Sequence, residues 1–439
     1  METQQQRPKL DYGRTFLIGF GFFGISVLWT FYNAYVPIYL QAGNPDFNAP
    51  GEVGFGFGAG LTGVIMTLDN IAALFIQPPV GAWSDRLRTP IGRRMPFILI
   101  GAPIGALVFG LIPLAGVLPL FVACTTTLLL SMALWRTPVV ALMPDITPSP
   151  KRSQANGIIN FMGGIGSIIA FLGGAALYEM NPAYPFWLGS LLVILAALLV
   201  FLLIKEPKVY EEKSEARPSM IASLREVIKD PDRSALRILL AIFFWFVAYN
   251  AVEAFFTLYA KNHLGLLESD GARLLGHMSL IFVLFAIPSG IIGSRIGRRI
   301  TISIGIVLMG LCMLSMYFLP AGVLTAMLSK LPVLGEVLGI SIVLMLAGLA
   351  WSLININSLP MVVDMTTPVK IGTFTGLYYL FSTLAAIAGP NINGWIVQLS
   401  GKNYATTMIA GPIFMLLAFL MMFKVRRGES SSEIAIPRG

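Results

Sequence analysis

The sequence predicts an all-α membrane protein of about twelve transmembrane helices arranged as two six-helix halves, and three observations carry that prediction. The 439-residue chain is 56% hydrophobic and only 12% charged, far from the balance of a soluble globular domain. Apolar runs of about 20 residues or more, enough to cross a ~30 Å hydrocarbon core, recur throughout. Landmarks of the first set of runs return in the second, in the same order and at the same places relative to the spans.

The first six runs occupy 16–40, 56–83, 96–115, 118–143, 156–177 and 185–204. The second six occupy 236–260, 274–293, 300–320, 337–363, 374–397 and 406–423. Basic residues in short loops remain cytoplasmic, and they alternate accordingly. Arg7, Lys9 and Arg14 precede span 1; Arg86, Arg88, Arg93 and Arg94 follow span 2; Lys151 and Arg152 follow span 4. A charged cluster from Lys205 to Arg237 follows span 6, Arg295, Arg298 and Arg299 follow span 8, Lys370 follows span 10, and Lys424, Arg426, Arg427 and Arg438 follow span 12. The opposite loops keep only Lys261, Arg273, Lys330 and Lys402. The expected topology is a multi-pass protein of a cell membrane, a bacterial inner membrane, with both termini cytoplasmic. The expected division is 1–204 for the first half, 205–235 for a cytoplasmic linker, 236–424 for the second half and 425–439 for a tail. Within the linker, Ile221, Leu224, Val227 and Ile228 recur at helical spacing; an amphipathic surface helix and a loosely ordered connector both fit.

The repeat is specific in its landmarks. Tyr32-Asn33-Ala34 returns as Tyr249-Asn250-Ala251, and Ile91-Gly92-Arg93-Arg94 as Ile296-Gly297-Arg298-Arg299. Asp145, Lys151 and Gly157 return as Asp364, Lys370 and Gly376. Such repetition implies two halves related by an axis along the membrane normal.

The net charge of +8 is accounted for by these helix-end residues, so no nucleic-acid partner is expected. Cys124 and Cys312 both lie inside spans, which suggests neither a disulfide framework nor a metal site. No GxxxxGK[ST] loop is present, which argues against ATP-driven work, and no nucleophile or metal cluster suggests an enzyme or a cofactor. The string GFGFFG at 19–24 lies in an apolar run with no preceding strand, so its glycines are read as close-packing positions. His263 and His277 are read as surface groups.

The stretch GAWSDRLRTPIGRR at 81–94 resembles the signature loop between spans 2 and 3 of the major facilitator superfamily. The longer contexts QPPVGAWSDRLRTPIGRRMPFILIGAP, YNAYVPIYL, YNAVEAFFTLYA and NSLPMVVDMTTPVKIGTFTGLYYLF resemble its sucrose-transporter-like branch, itself similar to the glycoside-pentoside-hexuronide cation symporters. The resemblance implies the major facilitator fold and alternating access. It makes Gly81, Asp85, Arg86, Gly92, Arg93 and Arg94 a gating latch, with a weaker counterpart at Arg298 and Arg299, where Ser294 replaces the acid. The alternative is that the arginines only anchor helix ends. Asp145 with Arg152, and Asp364 with Lys370, are expected as further gating pairs; ordinary interfacial charges fit them as well.

Three ionisable residues fall within spans. At ~1.5 Å of rise per residue, Asp69 lies sixteen residues from Asp85 and Glu253 sixteen from Arg237, about 24 Å from each anchor. Arg136, nine residues from Asp145, lies about 13 Å in. A charge at such depth costs ~2.5 to 3.5 kcal/mol even on insertion scales. A carboxyl that is neutral when unpaired and ionised when paired or hydrated is what proton coupling needs, so Asp69, Glu253 and Arg136 are the proton-coupling candidates. A static Asp69–Arg136 pair, and a vestibule position for Glu253, remain alternatives. The related melibiose-type symporters carry two acids just before the span 2 proline; the matching places here are Ala73 and Gln77, which favours protons over sodium.

Sugars need hydroxyl partners and flat apolar faces. The substrate candidates are Tyr32, Asn33, Asn70, Gln77, Trp135, Tyr249, Asn250, Asn355, Asn357 and Tyr378, with Asn160, Trp351, Tyr379 and Asn391 in the wider set. The expected function is proton-coupled symport of a small sugar or glycoside, sucrose-like or maltose-like, by a monomer in a lipid bilayer. The rivals are proton-antiport export of drugs or metabolites and a non-transporting sensor.

Overall fold

The computed structural model describes residues 11–43, 54–147, 152–206, 220–332, 334–366 and 371–428. By length and composition, 12 helices among them can cross a membrane, and the chain is mostly helical as expected. Lys370 lies outside the described residues, as do the side chains of Asp85 and Arg152.

The first half holds α1 (Tyr12–Gln41), α2 (Ala59–Ile65), α3 (Leu68–Arg86), α4 (Met95–Leu111), α5 (Leu118–Ile146), α6 (Arg152–Ile168), α7 (Gly174–Met180) and α8 (Tyr184–Leu203). Two spans that read as single helices are interrupted. Span 2 breaks at Met66 and Thr67, where the Thr67 amide and hydroxyl both turn back to the Val64 carbonyl. Span 5 passes through a π-helical turn at Ile169–Gly173 between α6 and α7. At the span 2 break the Thr67 hydroxyl supplies the local polar satisfaction that such a site needs at membrane depth, and no periodicity of apolar residues announces either interruption.

The amphipathic linker segment is helical, α9 (Met220–Lys229), with Val227 buried and Ile228 exposed. Then follow α10 (Ser234–Asn262), α11 (Glu268–Ile296), α12 (Arg298–Phe318), α13 (Ala321–Leu324), α14 (Gly339–Val363), α15 (Ile371–Leu399) and α16 (Thr407–Phe423). Between α13 and α14 a β-hairpin pairs β1 (Met327–Leu331) with β2 (Gly335–Leu338) in antiparallel register, Leu331 opposite Gly335. It sits in a loop that hydropathy alone treats as a plain connection. A buried ion pair, Lys261 with Glu268, joins the end of α10 to the start of α11.

The chain packs as two compact units, one of Met1–Val36 with Ile71–Lys213 and one of Pro37–Asn70 with Ser214–Gly439. The segment 37–70 joins the second unit because α2 lies directly on α15. A Cβ on Gly63 would stand 2.5 Å from the Pro390 carbonyl oxygen, and one on Gly394 would stand 2.6 Å from that of Ala59. The Asn391 amide donates to the Thr67 hydroxyl at 2.8 Å, so the break in span 2 is bonded to α15 as well. Tyr404 donates its hydroxyl to the Gln41 side chain in the same unit.

Candidate functional site

In the second unit an acid and an aromatic wall meet. Glu253 and Tyr249 are one turn apart on α10, so their side chains share a face and interact. The Tyr249 ring stacks on Trp351 of α14, centroids 3.9 Å apart and planes within 7°. Phe246, one turn earlier, meets Trp351 edge-on at 5.3 Å and Tyr378 of α15 at 6.2 Å. Tyr378 continues to Tyr379 at 5.4 Å and shares a 3.1 Å hydrogen bond with Ser358. Three helices thus contribute one continuous aromatic surface, with a carboxyl at one end and the exposed Tyr379 at the other.

Asp69 is half-buried at the first turn of α3, immediately past the break, and its carboxylate accepts from the Asn70 amide at 2.9 Å. Arg136 is half-buried on α5. Asn33, Gln77 and Asn355 are half-buried in their helices, while the half-buried Asn250 returns its amide to the Phe246 carbonyl at 2.7 Å.

Other substrate candidates are enclosed. Trp135 has 0% exposure, its indole nitrogen on the Met132 sulfur at 3.0 Å. Gly101 gives it room, since a Cβ there would lie 2.8 Å from the Trp135 Cβ. Tyr32, 1% exposed, packs edge-on against Trp29. Asn357, 3% exposed, donates to the Ser289 and Leu353 carbonyls at 3.2 and 3.0 Å and fills the space beside Gly293, tying α14 to α11. Of these three, Trp135 and Asn357 lie against a neighbouring helix in this structure.

The basic ends carry a second constellation, built alike in each unit. Gly92 and Gly297 have φ of 115° and 93°, a region open chiefly to glycine, and each sits just before an arginine pair opening a helix. In the first unit both carboxylate oxygens of Asp145 are engaged, by Arg93 Nη2 at 2.7 Å and Arg94 Nε at 3.0 Å. Arg94 also donates to Ser84. In the second unit Arg298 pairs with Asp364. The acids of the expected Asp145–Arg152 and Asp364–Lys370 pairs therefore pair here with the loop arginines. Arg299 donates instead to the Phe423 carbonyl at 2.8 Å. Gly81 accepts from Ser84 at 2.9 Å through its carbonyl, and Arg86 is exposed.

Glu206 completes the first of these constellations. Its carboxylate accepts from the backbone N–H groups of Arg93, Arg94 and Met95 at 2.9, 2.9 and 2.8 Å, where α4 presents the unpaired donors and partial positive charge of a helix start. A Cβ on Gly92 would collide with that carboxylate. The position was legible in principle: an acid directly after span 6 stands at the same membrane face as a helix start that needs an anion. A matched pair of carbonyl contacts was not legible, because Arg14 donates to the carbonyl of Lys205 and Arg237 to that of Lys424. Each joins the first helix of a half to the last.

Comparisons with known proteins agree with this architecture. The Major Facilitator Superfamily family model matches residues 15–340 and 274–438. A crystal structure of the nucleoside transporter NupG superposes with a TM-score of 0.71 at 16% identity, covering 94% of this chain and 100% of that one, which establishes likeness of fold. Proton-associated sugar transporter A of Rattus norvegicus is 33% identical over 108 residues, 24% of this chain and only 12% of that protein's length. Multidrug resistance protein 2 of Bacillus subtilis is 23% identical over 380 residues, covering 84% of this chain and 88% of that protein. With its twelve apolar helices and a family match running almost end to end, the chain belongs to the Major Facilitator Superfamily.

Proposed function

We propose that this transporter carries a small sugar or glycoside by proton symport. The observation that carries the reading is the Glu253–Tyr249–Trp351 arrangement: a carboxyl within a membrane span lies one helical turn from a tyrosine stacked in an aromatic wall. Aromatic faces suit the C–H faces of a sugar, and a carboxyl beside them can accept a proton or a sugar hydroxyl. Protonation of Glu253 and substrate occupancy would then compete for, or share, the same tyrosine, which is a direct route to coupling. Asp69 at the break of span 2, with Asn70 as its partner, is the second proton-exchange group, and Arg136 supplies a positive charge for a carboxylate or a sugar hydroxyl. Asn33, Gln77, Asn250, Asn355 and Tyr378 complete the substrate set. The sugar-transporter relative supports the substrate class.

The two halves, 1–204 and 236–424, are the moving bodies, with the linker 205–235 and tail 425–439 at the cytoplasmic face. The Arg93/Arg94–Asp145 and Arg298–Asp364 pairs are latches that hold one state and release in the other. One second reading has its own support: the multidrug relative spans most of both chains, and it gives proton-antiport export of amphipathic compounds.

Reconstituted vesicles tested with a labelled disaccharide panel separate the two. An imposed pH gradient is expected to drive sugar accumulation and a sodium gradient is not. Glu253→Gln and Asp69→Asn are each expected to abolish accumulation while leaving counterflow exchange measurable. Transport of amphipathic cations with every sugar inert would overturn the symport reading in favour of export.

A further inference from the structure

A groove of about 730 Å³ runs along the outer face of the second unit between α12 and α16. Ile304, Val307 and Leu311 line one wall at helical spacing, Phe419 and Phe423 line the other, and Arg299 closes one end. From Arg299 to Leu311 is twelve residues, about 18 Å of helix rise, close to one leaflet, half of a ~30 Å hydrocarbon core. The charge lies at the headgroup end and the apolar wall extends inward from it. Gly411 lets the two helices pack closely, its place filled by the Met313 sulfur.

We propose that this groove binds an anionic phospholipid, its phosphate on Arg299 and one acyl chain along Ile304, Val307 and Leu311. Charge and length both select this occupant. The guanidinium is a fork of donors that matches phosphate, and its bond to the Phe423 carbonyl holds it at the mouth of the groove. The exposed Lys424, one residue beyond Phe423, adds positive charge at the same end. A zwitterionic lipid offers the same chain but a weaker electrostatic match.

The test is native mass spectrometry of the full chain, released from detergent after delipidation and titration with phosphatidylglycerol or phosphatidylcholine. One phosphatidylglycerol is expected to be retained at least fivefold better than phosphatidylcholine, and millimolar inorganic phosphate is expected not to displace it. Arg299→Gln is expected to erase the preference and Arg299→Lys to restore part of it. Val307→Trp, which fills the groove and leaves the charge, is expected to lower retention of both lipids. Thermal unfolding of each variant checks that it is folded; should the arginine variant fail to fold, the Val307→Trp arm still decides. Equal retention of the two lipids by the unaltered protein, or unchanged retention in the groove-filled variant, would overturn the proposal.

Discussion

Glu206 shows how much one side chain can organise. Its carboxylate satisfies three backbone N–H groups at the start of α4, and hydrogen bonds involving a charged group contribute about 1.5 to 3 kcal/mol each on mutation. Removing it also leaves Arg93 and Arg94 without their anchoring turn beside Asp145. Glu206→Ala is expected to destabilise the detergent-solubilised protein by about 2 kcal/mol or more, read as a lowered thermal midpoint, with Glu206→Gln recovering part of the loss. A midpoint equal to that of the unaltered protein would show the cap to be dispensable. Tyr249 is similarly placed in the other unit: its ring is stacked on Trp351 and it lies one helical turn from Glu253, so neither neighbour can be changed without disturbing the same residue.

Between elements, α2 and α15 meet backbone against backbone. Gly63 and Gly394 let the two helices touch where any side chain would press on a carbonyl, and the Asn391–Thr67 bond seals the contact at the break. Since a backbone carbonyl cannot swing aside as a side chain can, Gly63→Val and Gly394→Val are expected to cost about 1 to 3 kcal/mol each, as overpacking does. Chemical denaturation in mixed micelles would measure it. The two losses should be less than additive, because either substitution already separates the same pair of helices. Full additivity would place the two glycines in independent contacts.

Across the whole chain, the two halves repeat their joints as well as their spans: glycine, arginine pair and acid at the basic ends, and an arginine from each first helix on the carbonyl closing each last helix. The linker and the segment after α16 are joined by a separate clasp. Arg427 reaches Asp232 at 2.5 Å, and the Arg426 amide donates to Ser234 at 3.0 Å. Hydrogen bonds from Ser234, with the Arg427 and Arg237 charges behind them, hold the Asp232 carboxyl below its usual value. Its contribution is therefore fully present above the ordinary carboxylate range and is lost only as the pH falls through the lowered value. Hydrogen exchange over 220–233, corrected for intrinsic rates, is expected to be as protected at pH 5 as at pH 7. Arg427→Gln should raise exchange at both. Loss of protection between pH 7 and pH 5 in the unaltered protein would contradict the clasp.

The sequence by itself determined the twelve apolar helices and their repetition, because apolar runs of membrane-spanning length and recurring motifs are properties of the linear chain. It also marked the residues that are costly to place in a membrane, Asp69, Glu253 and Arg136, since an ionisable side chain within an apolar run stands out whatever its partners. Tertiary structure alone decided their company. Tyr249 faces Trp351 across 102 positions of chain, Asp145 takes its partners from the loop before α4, and Trp135 and Asn357 lie buried against neighbouring helices. Side-chain partnership is set by which helix faces meet, and the pattern of hydrophobicity along each helix, nearly uniform in a span, does not encode which face that is.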